Sequence, residues 1–277
     1  MARLSCYTNC FGPAGVRRAV ERARECGLDR LELAMKPHDL GGLVVPADAI
    51  VNEDSDDRTV RNFIEHLHKY KIEIGGCNVG GFDLRTDDGF HATARRIEFA
   101  ARRFKPSVVV SGAGRPTDLN ERARIVANLK RLGDLAAELG LTIALETHQG
   151  PTENARAMLD LTAEIDRPNV GINFDTGNIY YYNQNVNLYQ ELEQIKGFVR
   201  NLHLKDCRGG YQDWYFPALG EGGAVDFSRI LSIMNSVGYD GIYTIEIEGI
   251  LGETEPGDAE RERRVLESVK HLHACGY

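Results

Sequence analysis

Cysteine is sparse and scattered: six residues at 6, 10, 26, 77, 207 and 275, with no Cys-x-x-Cys pair. Nothing in that spacing resembles a zinc knuckle, and reduced thiols in a cytosolic protein are expected. No apolar run approaches the roughly 20 residues needed to cross a bilayer. The opening MARLSCYTNCFG lacks the charged, apolar and small-residue succession of a signal peptide. Basic residues are outnumbered, 33 against 41, so the formal charge of −8 repels nucleic acid and anionic membrane. A small-molecule partner and a cytoplasmic location are the expectation. The Gly-rich pieces SGAGRP and GEGG match neither Gly-x-Gly-x-x-Gly nor a P-loop. No linker rich in Pro, Gly or Ser and no low-complexity segment divides the chain, which leaves one domain, residues 1–277.

What is present is alternation. Short β-branched runs are expected as strands at 3–8, 30–34, 72–78, 107–112, 142–147, 170–175, 200–205 and 242–248. Between and after them lie eight stretches of helical period, such as DRTVRNFIEHLHKY and NERARIVANLKRLGDLAAELG. Gly27, Gly140 and Gly238 follow the last periodic residues and are expected as helix C-caps. Eight βα units close most naturally as an α/β (β/α)8 TIM barrel, with a doubly wound sheet as the competitor.

Barrels of this kind build their active sites at the C-terminal ends of the strands. Those ends carry Glu146 and His148, Asp175 and Asn178, His203, Lys205 and Asp206, and Glu246 and Glu248; strand two adds Glu32, Lys36 and His38. Taken singly, Asp175 reads as a helix cap, His203 as a core histidine and Glu146 as part of a polar barrel layer. Together they are like charges at one mouth, unfavourable unless a cation holds them, and a divalent metal is the economical explanation. The set Glu146, Asp175, His203 and Glu246 offers three carboxylates and one imidazole, which suits manganese first, with magnesium, cobalt or zinc as alternatives.

The series ALETH, NVGINFDTGN, NLHLKD, LGEGGAVDF and IYTIEIE resembles the xylose isomerase-like TIM-barrel superfamily of sugar isomerases and epimerases. That superfamily includes ketose 3-epimerases, inosose dehydratase and endonuclease IV. The resemblance implies that Glu146, Asp175, His203 and Glu246 ligate the metal and that Glu146 and Glu246 also serve as acid and base. It favours Glu246 over Glu248 as ligand through the spacing from Asp226. The chain departs from the ketose epimerases at Asn178, where they have a His, and at Gly209, where they have an Arg; Arg208 lies one position short.

Around this set, His148 shares a strand face with Glu146 by period two and is expected to bind a substrate hydroxyl. Lys205 either steadies a substrate oxygen or pairs with Asp206 at the surface. Asn178 and Arg208 are expected at the substrate, Glu248 at the rim, and Glu32 and Asn78 on the opposite border of the pocket. Trp214, the only Trp, lies near Tyr211, Tyr215 and Phe216 and is expected either to stack on a sugar or to form a contact between copies of the chain, making a homo-oligomer. The expected function is a metal-dependent isomerase or epimerase of a ketose or keto-sugar acting through an enediolate. The alternative is a lyase that uses the same site to expel water or an alcohol, as in inosose dehydratase or the cleavage of 3-keto-glycosides. A metal-free sugar-binding barrel is the non-catalytic rival, and an endonuclease is disfavoured by net acidity.

Overall fold

The computed structural model describes residues 2–35 and 51–277. Eight parallel strands close into a barrel in chain order: β1 (Arg3–Tyr7), β2 (Arg30–Ala34), β3 (Glu73–Asn78), β4 (Val108–Ser111), β5 (Thr142–Glu146), β6 (Val170–Asp175), β7 (Val199–Leu204) and β9 (Ile242–Ile245). β9 returns to pair with β1, so no barrel edge is left open. The eight expected strands are these eight, each within a few residues. A small ribbon not foreseen from the sequence, β8 (Tyr215–Phe216) antiparallel to β10 (Gly249–Ile250), flanks the mouth.

The helices are α1 (Gly15–Arg22), α2 (Asp57–Tyr70), α3 (Asp87–Arg103), α4 (Leu119–Glu138), α5 (Ala155–Ile165), α6 (Asn178–Tyr182), α7 (Leu188–Ile195), α8 (Phe227–Asn235) and α9 (Asp258–Ala274). Their starts are written locally. Asp56, Thr86, Asp118, Asn154 and Asp226 each accept a backbone N–H three residues on, which satisfies an otherwise orphaned donor. Gly27, Gly140 and Gly238 all adopt left-handed φ, but only Gly140 directly follows a helix cap, Leu139; α1 and α8 end earlier, at caps Ala23 and Ser236, and Gly27 and Gly238 close the turns beyond them. After Ile195, α7 tightens into a 3-10 turn, Lys196–Phe198.

Two apolar clusters form. The large one lies between the strands and the helices, whereas the one inside the barrel holds only Val108, Val110, Ala144 and Ile242. Above that small floor the barrel interior turns polar, with Ser5, Glu32, Asn173, Asn201 and Thr244 buried in it. Strand parity explains the split, since residues i, i+2 and i+4 share a face. From Ala144, Asn173, Asn201 and Thr244, two residues further on lie Glu146, Asp175, His203 and Glu246.

Candidate metal centre

Those four residues converge. One ligand atom from each of Glu146, Asp175, His203 and Glu246 lies within 4.8 Å of the others. Asp175 and His203 are register partners across β6 and β7, and the amide of Glu246 continues the ladder by donating to the Leu204 carbonyl. Asp175 divides its labour. Its Oδ1 accepts the amides of Gly177 and Asn178, each at 2.8 Å, and so caps the turn into α6, while Oδ2 faces the cluster.

His203 is oriented from below. Its Nε2 lies 3.0 and 3.1 Å from the two oxygens of Glu32. A carboxylate only accepts, so Nε2–H is the donor and Nδ1 is left facing the acids, 3.0 Å from Glu246 and 3.9 Å from Asp175 and Glu146. Tyr7 stacks on the imidazole, with ring centroids 5.9 Å apart. Burial alone would depress the imidazole, but the carboxylates of Glu32 and Glu246 hold it well above its ordinary range.

Lys205 is the second buried cation. Its Nζ lies 3.0 Å from Asp175 and Glu246, 3.1 Å from Glu248 and 3.2 Å from the Asn178 oxygen. Burial opposes the charge, yet Asp175, Glu246 and Glu248 raise the ammonium well above the usual lysine range. In turn Glu246, though buried, is held well below the carboxylate range by Lys205 and His203. Burial pushes Asp175 up, and pushes Glu248 up to about 7, against the pull of Lys205. The lysine stem passes over Gly177, where an added Cβ would come within 2.8 Å of it.

The residues fit a divalent ion. Asp175 Oδ2, His203 Nδ1 and Glu246 Oε2 are buried and meet one another and Lys205 only through charge contacts at 3.0–3.9 Å, with no well-directed hydrogen bond to satisfy them. Three inward-facing donor atoms beside a partly buried Glu146 are what an oxygen-rich site with one imidazole requires.

Several expectations need correction. Glu32 does not border the pocket: it is fully buried beneath it, where Asn201, Thr244 and His203 all donate to it. Lys205 and Asp206 do not form a surface ion pair, because both are buried and face apart. Asp206 accepts the amides of Cys207, Gly220 and Val225. Glu248 is not on the rim, with its side chain 10% exposed against Lys205. Arg208 is turned to the surface, where it forms a two-pronged pair with Asp213 and stacks on Tyr215. Asn178 spends its side chain on Lys205 and the Thr147 carbonyl.

His148 lines a cleft together with Glu146 and Asn78 and meets Tyr182 and Arg115 through its two ring nitrogens. Trp214 packs edge-on against Tyr181 and Phe216 and lines a second cleft with Asn9 and Glu248. Lys36 and His38 lie outside the described residues. Sequence reading missed Tyr7, which closes β1 as the ligands close theirs and was open to the same strand-end rule. It also missed Asn9, whose amide lies 3.4 Å from Glu246, and Arg115.

Comparison with known proteins places the chain among barrels of this kind. An inosose dehydratase of Lacticaseibacillus casei is 27% identical over 175 residues, 56% of this chain and 55% of that protein. The match therefore spans little more than half of that relative's length. A ketose 3-epimerase of Arthrobacter globiformis is 24% identical over 261 residues, 87% of this chain and 80% of its own. A xylose isomerase-like TIM barrel protein of Mycobacterium smegmatis, solved in complex with magnesium, superposes with a TM-score of 0.71 at 17% identity, over 98% of this chain and 97% of its own. The profile of one family runs from α1 into the last residues, matching 20–275, and the chain belongs to that family, the xylose isomerase-like TIM barrels.

Proposed function

We propose that the protein is a divalent-metal-dependent isomerase or epimerase of a ketose or keto-sugar, with Glu146 and Glu246 as the proton-transferring pair. The observation that carries this reading is the convergence of Glu146 and Glu246 from opposite sides of Asp175 and His203, with all four ligand atoms within 4.8 Å. A divalent ion, manganese by the oxygen-rich donor set, supplies Lewis-acid stabilisation of the charge that develops on a carbonyl oxygen when the neighbouring C–H ionises.

The chain's own groups divide the remaining work. Glu246 is held ionised by Lys205 and His203 and is competent as a base. Glu146, with 20% of its side chain exposed, faces the cleft from the other side and returns the proton. Proton removal at one face and return at the other inverts a carbon; return to the adjacent carbon moves the carbonyl. Lys205 keeps three carboxylates together and holds a charged donor beside any substrate oxygen. Asp175 and His203 hold the frame.

A second reading, a lyase acting on a keto-sugar, is favoured by Glu248. At about 7 its carboxyl carries a proton through part of the neutral range. It is thereby suited to protonate a hydroxyl leaving β to the carbonyl as a glutamate removes the α C–H, so that water departs and a C=C bond forms. The inosose dehydratase and ketose 3-epimerase relatives bracket these two outcomes.

Proton NMR in D₂O of a panel of ketoses, inososes and 3-keto-glycosides with Mn²⁺-loaded protein separates them. An epimerase gives a new sugar deuterated at one carbon, and a lyase gives an alkene signal. No exchange with any member, or turnover unchanged in EDTA, would overturn the proposal.

A further inference from the structure

Beside Glu146 the barrel mouth opens into a cleft of about 240 Å³, walled by the residues after β3, by Gly112–Arg115 after β4, and by His148. A water takes about 30 Å³ of liquid, so this space holds a substituent of several heavy atoms. The chemistry around it is lopsided. Of the acids only Glu146 lines it among the described residues, and the buried cations of the metal centre, His203 and Lys205, are already held by Asp175, Glu246 and Glu248.

Arg115 is the one Lys or Arg among the described residues that line this cleft. Its guanidinium is exposed on the cleft wall, and it makes no ion pair among the described residues. Its Nη2 lies 3.1 Å from His148 Nδ1, a contact that uses one of five N–H donors. Gly112, on the same wall, has no packing or backbone reason to be glycine. An added Cβ there would meet nothing within 4 Å, and its φ is not left-handed. An open wall and a free guanidinium fork face the same space. Such a fork matches the paired oxygens of a carboxylate or phosphate.

We propose that Arg115 is a specificity-determining residue that binds an anionic substituent, carboxylate or phosphate, of the sugar held between Glu146 and Glu246, so that the substrate is an acidic keto-sugar. This rests on the keto-sugar reading above.

The test is calorimetric titration of Mn²⁺-loaded protein with sorbitol, sorbitol 6-phosphate and gluconate, none of which has a carbonyl C–H acid to turn over. Wild type is expected to bind one of the two anions at least tenfold more tightly than sorbitol, and which one it prefers tells a sugar phosphate from a sugar acid. Arg115→Gln should reduce that preference to threefold or less, and Arg115→Lys should keep part of it. Gly112→Val should weaken the anion selectively by filling the open wall. A preference that persists in Arg115→Gln would place the anion on the metal and overturn the proposal, as would equal binding of all three polyols or binding of none. Absence of C–H exchange with every ketose would remove the keto-sugar reading, while the titration still decides on Arg115.

Discussion

Glu32 illustrates how much a single buried acceptor controls. It touches no open space, yet it sets which imidazole nitrogen of His203 carries hydrogen and which faces the acids. Second-sphere carboxylates of this kind are worth about 10–100-fold in metal affinity. Glu32→Gln, which keeps the size and loses the charge, should weaken Mn²⁺ binding by that factor with far-UV circular dichroism unchanged; an unaltered titration curve would refute the role. Glu248 makes a different prediction for the metal-free protein. Its folded value of about 7 exceeds the ordinary 4.5, so between these values the folded state keeps a proton that the unfolded state releases, and stability falls as pH rises from 4.5 through 7. At about 1.4 kcal/mol per unit the loss is on the order of 3 kcal/mol. Urea unfolding at pH 5 and pH 7.5 should show this slope in wild type and a flatter one in Glu248→Gln. Equal slopes would count against the assignment.

Among the elements, the connection from β7 to α8 has the most distinctive support. It carries the aromatic residues of β8 and is tied down by Asp206, whose two oxygens accept three backbone amides at 2.9–3.2 Å. Removing that carboxylate leaves buried donors unpaired, at about 1–3 kcal/mol for each such group. Asp206→Ala should therefore destabilise the protein by about 3 kcal/mol or more and speed hydrogen exchange at Cys207, Gly220 and Val225, while metal affinity stays within a few fold of wild type. Loss of the metal site in a folded Asp206→Ala would mean that this loop supports the ligands directly. Across the mouth, fully buried Arg96 plays a comparable part. Its guanidinium spans the Glu53 carboxylate and the Gly80 carbonyl, bracing the wall of the Arg115 cleft from behind.

Among the described residues, the strand–helix interface carries most of the apolar burial, and the separate apolar cluster inside the barrel has four members. Stability and metal binding are accordingly separable. Chelation should leave the helical signal in place and lower Tm. A ligand at a thousandfold excess over its Kd stabilises by about 4 kcal/mol, which for a chain of this size is on the order of 10 °C. Elemental analysis should find one divalent ion per chain. Equal Tm with and without EDTA, in protein containing no ion, would remove the metal centre.

The eight βα units and the four strand-end residues Glu146, Asp175, His203 and Glu246 were legible in the sequence; the caps at Asp56, Thr86, Asp118, Asn154 and Asp226 obey an equally local rule but were not singled out. Each rests on local physics: hydrophobic period, an acceptor three residues before a free amide, and the rule that barrel chemistry sits where strands end. Relations between strands far apart in the chain were not legible. Glu32 on β2 meets His203 on β7, 171 residues on, only because closure turns both side chains inward. Register shifts beside Glu32 and Asn173 set how high each inward side chain stands. Side-chain reach decided the rest. Lys205 bends over Gly177 into the acids instead of pairing with its neighbour Asp206, Arg208 turns out to Asp213, and Arg115, from a Gly-rich stretch with no motif to recommend it, faces the site. A buried charge takes the partners that closure brings within about 3 Å of it, and those are selected by the shape of the barrel, not by nearness along the chain.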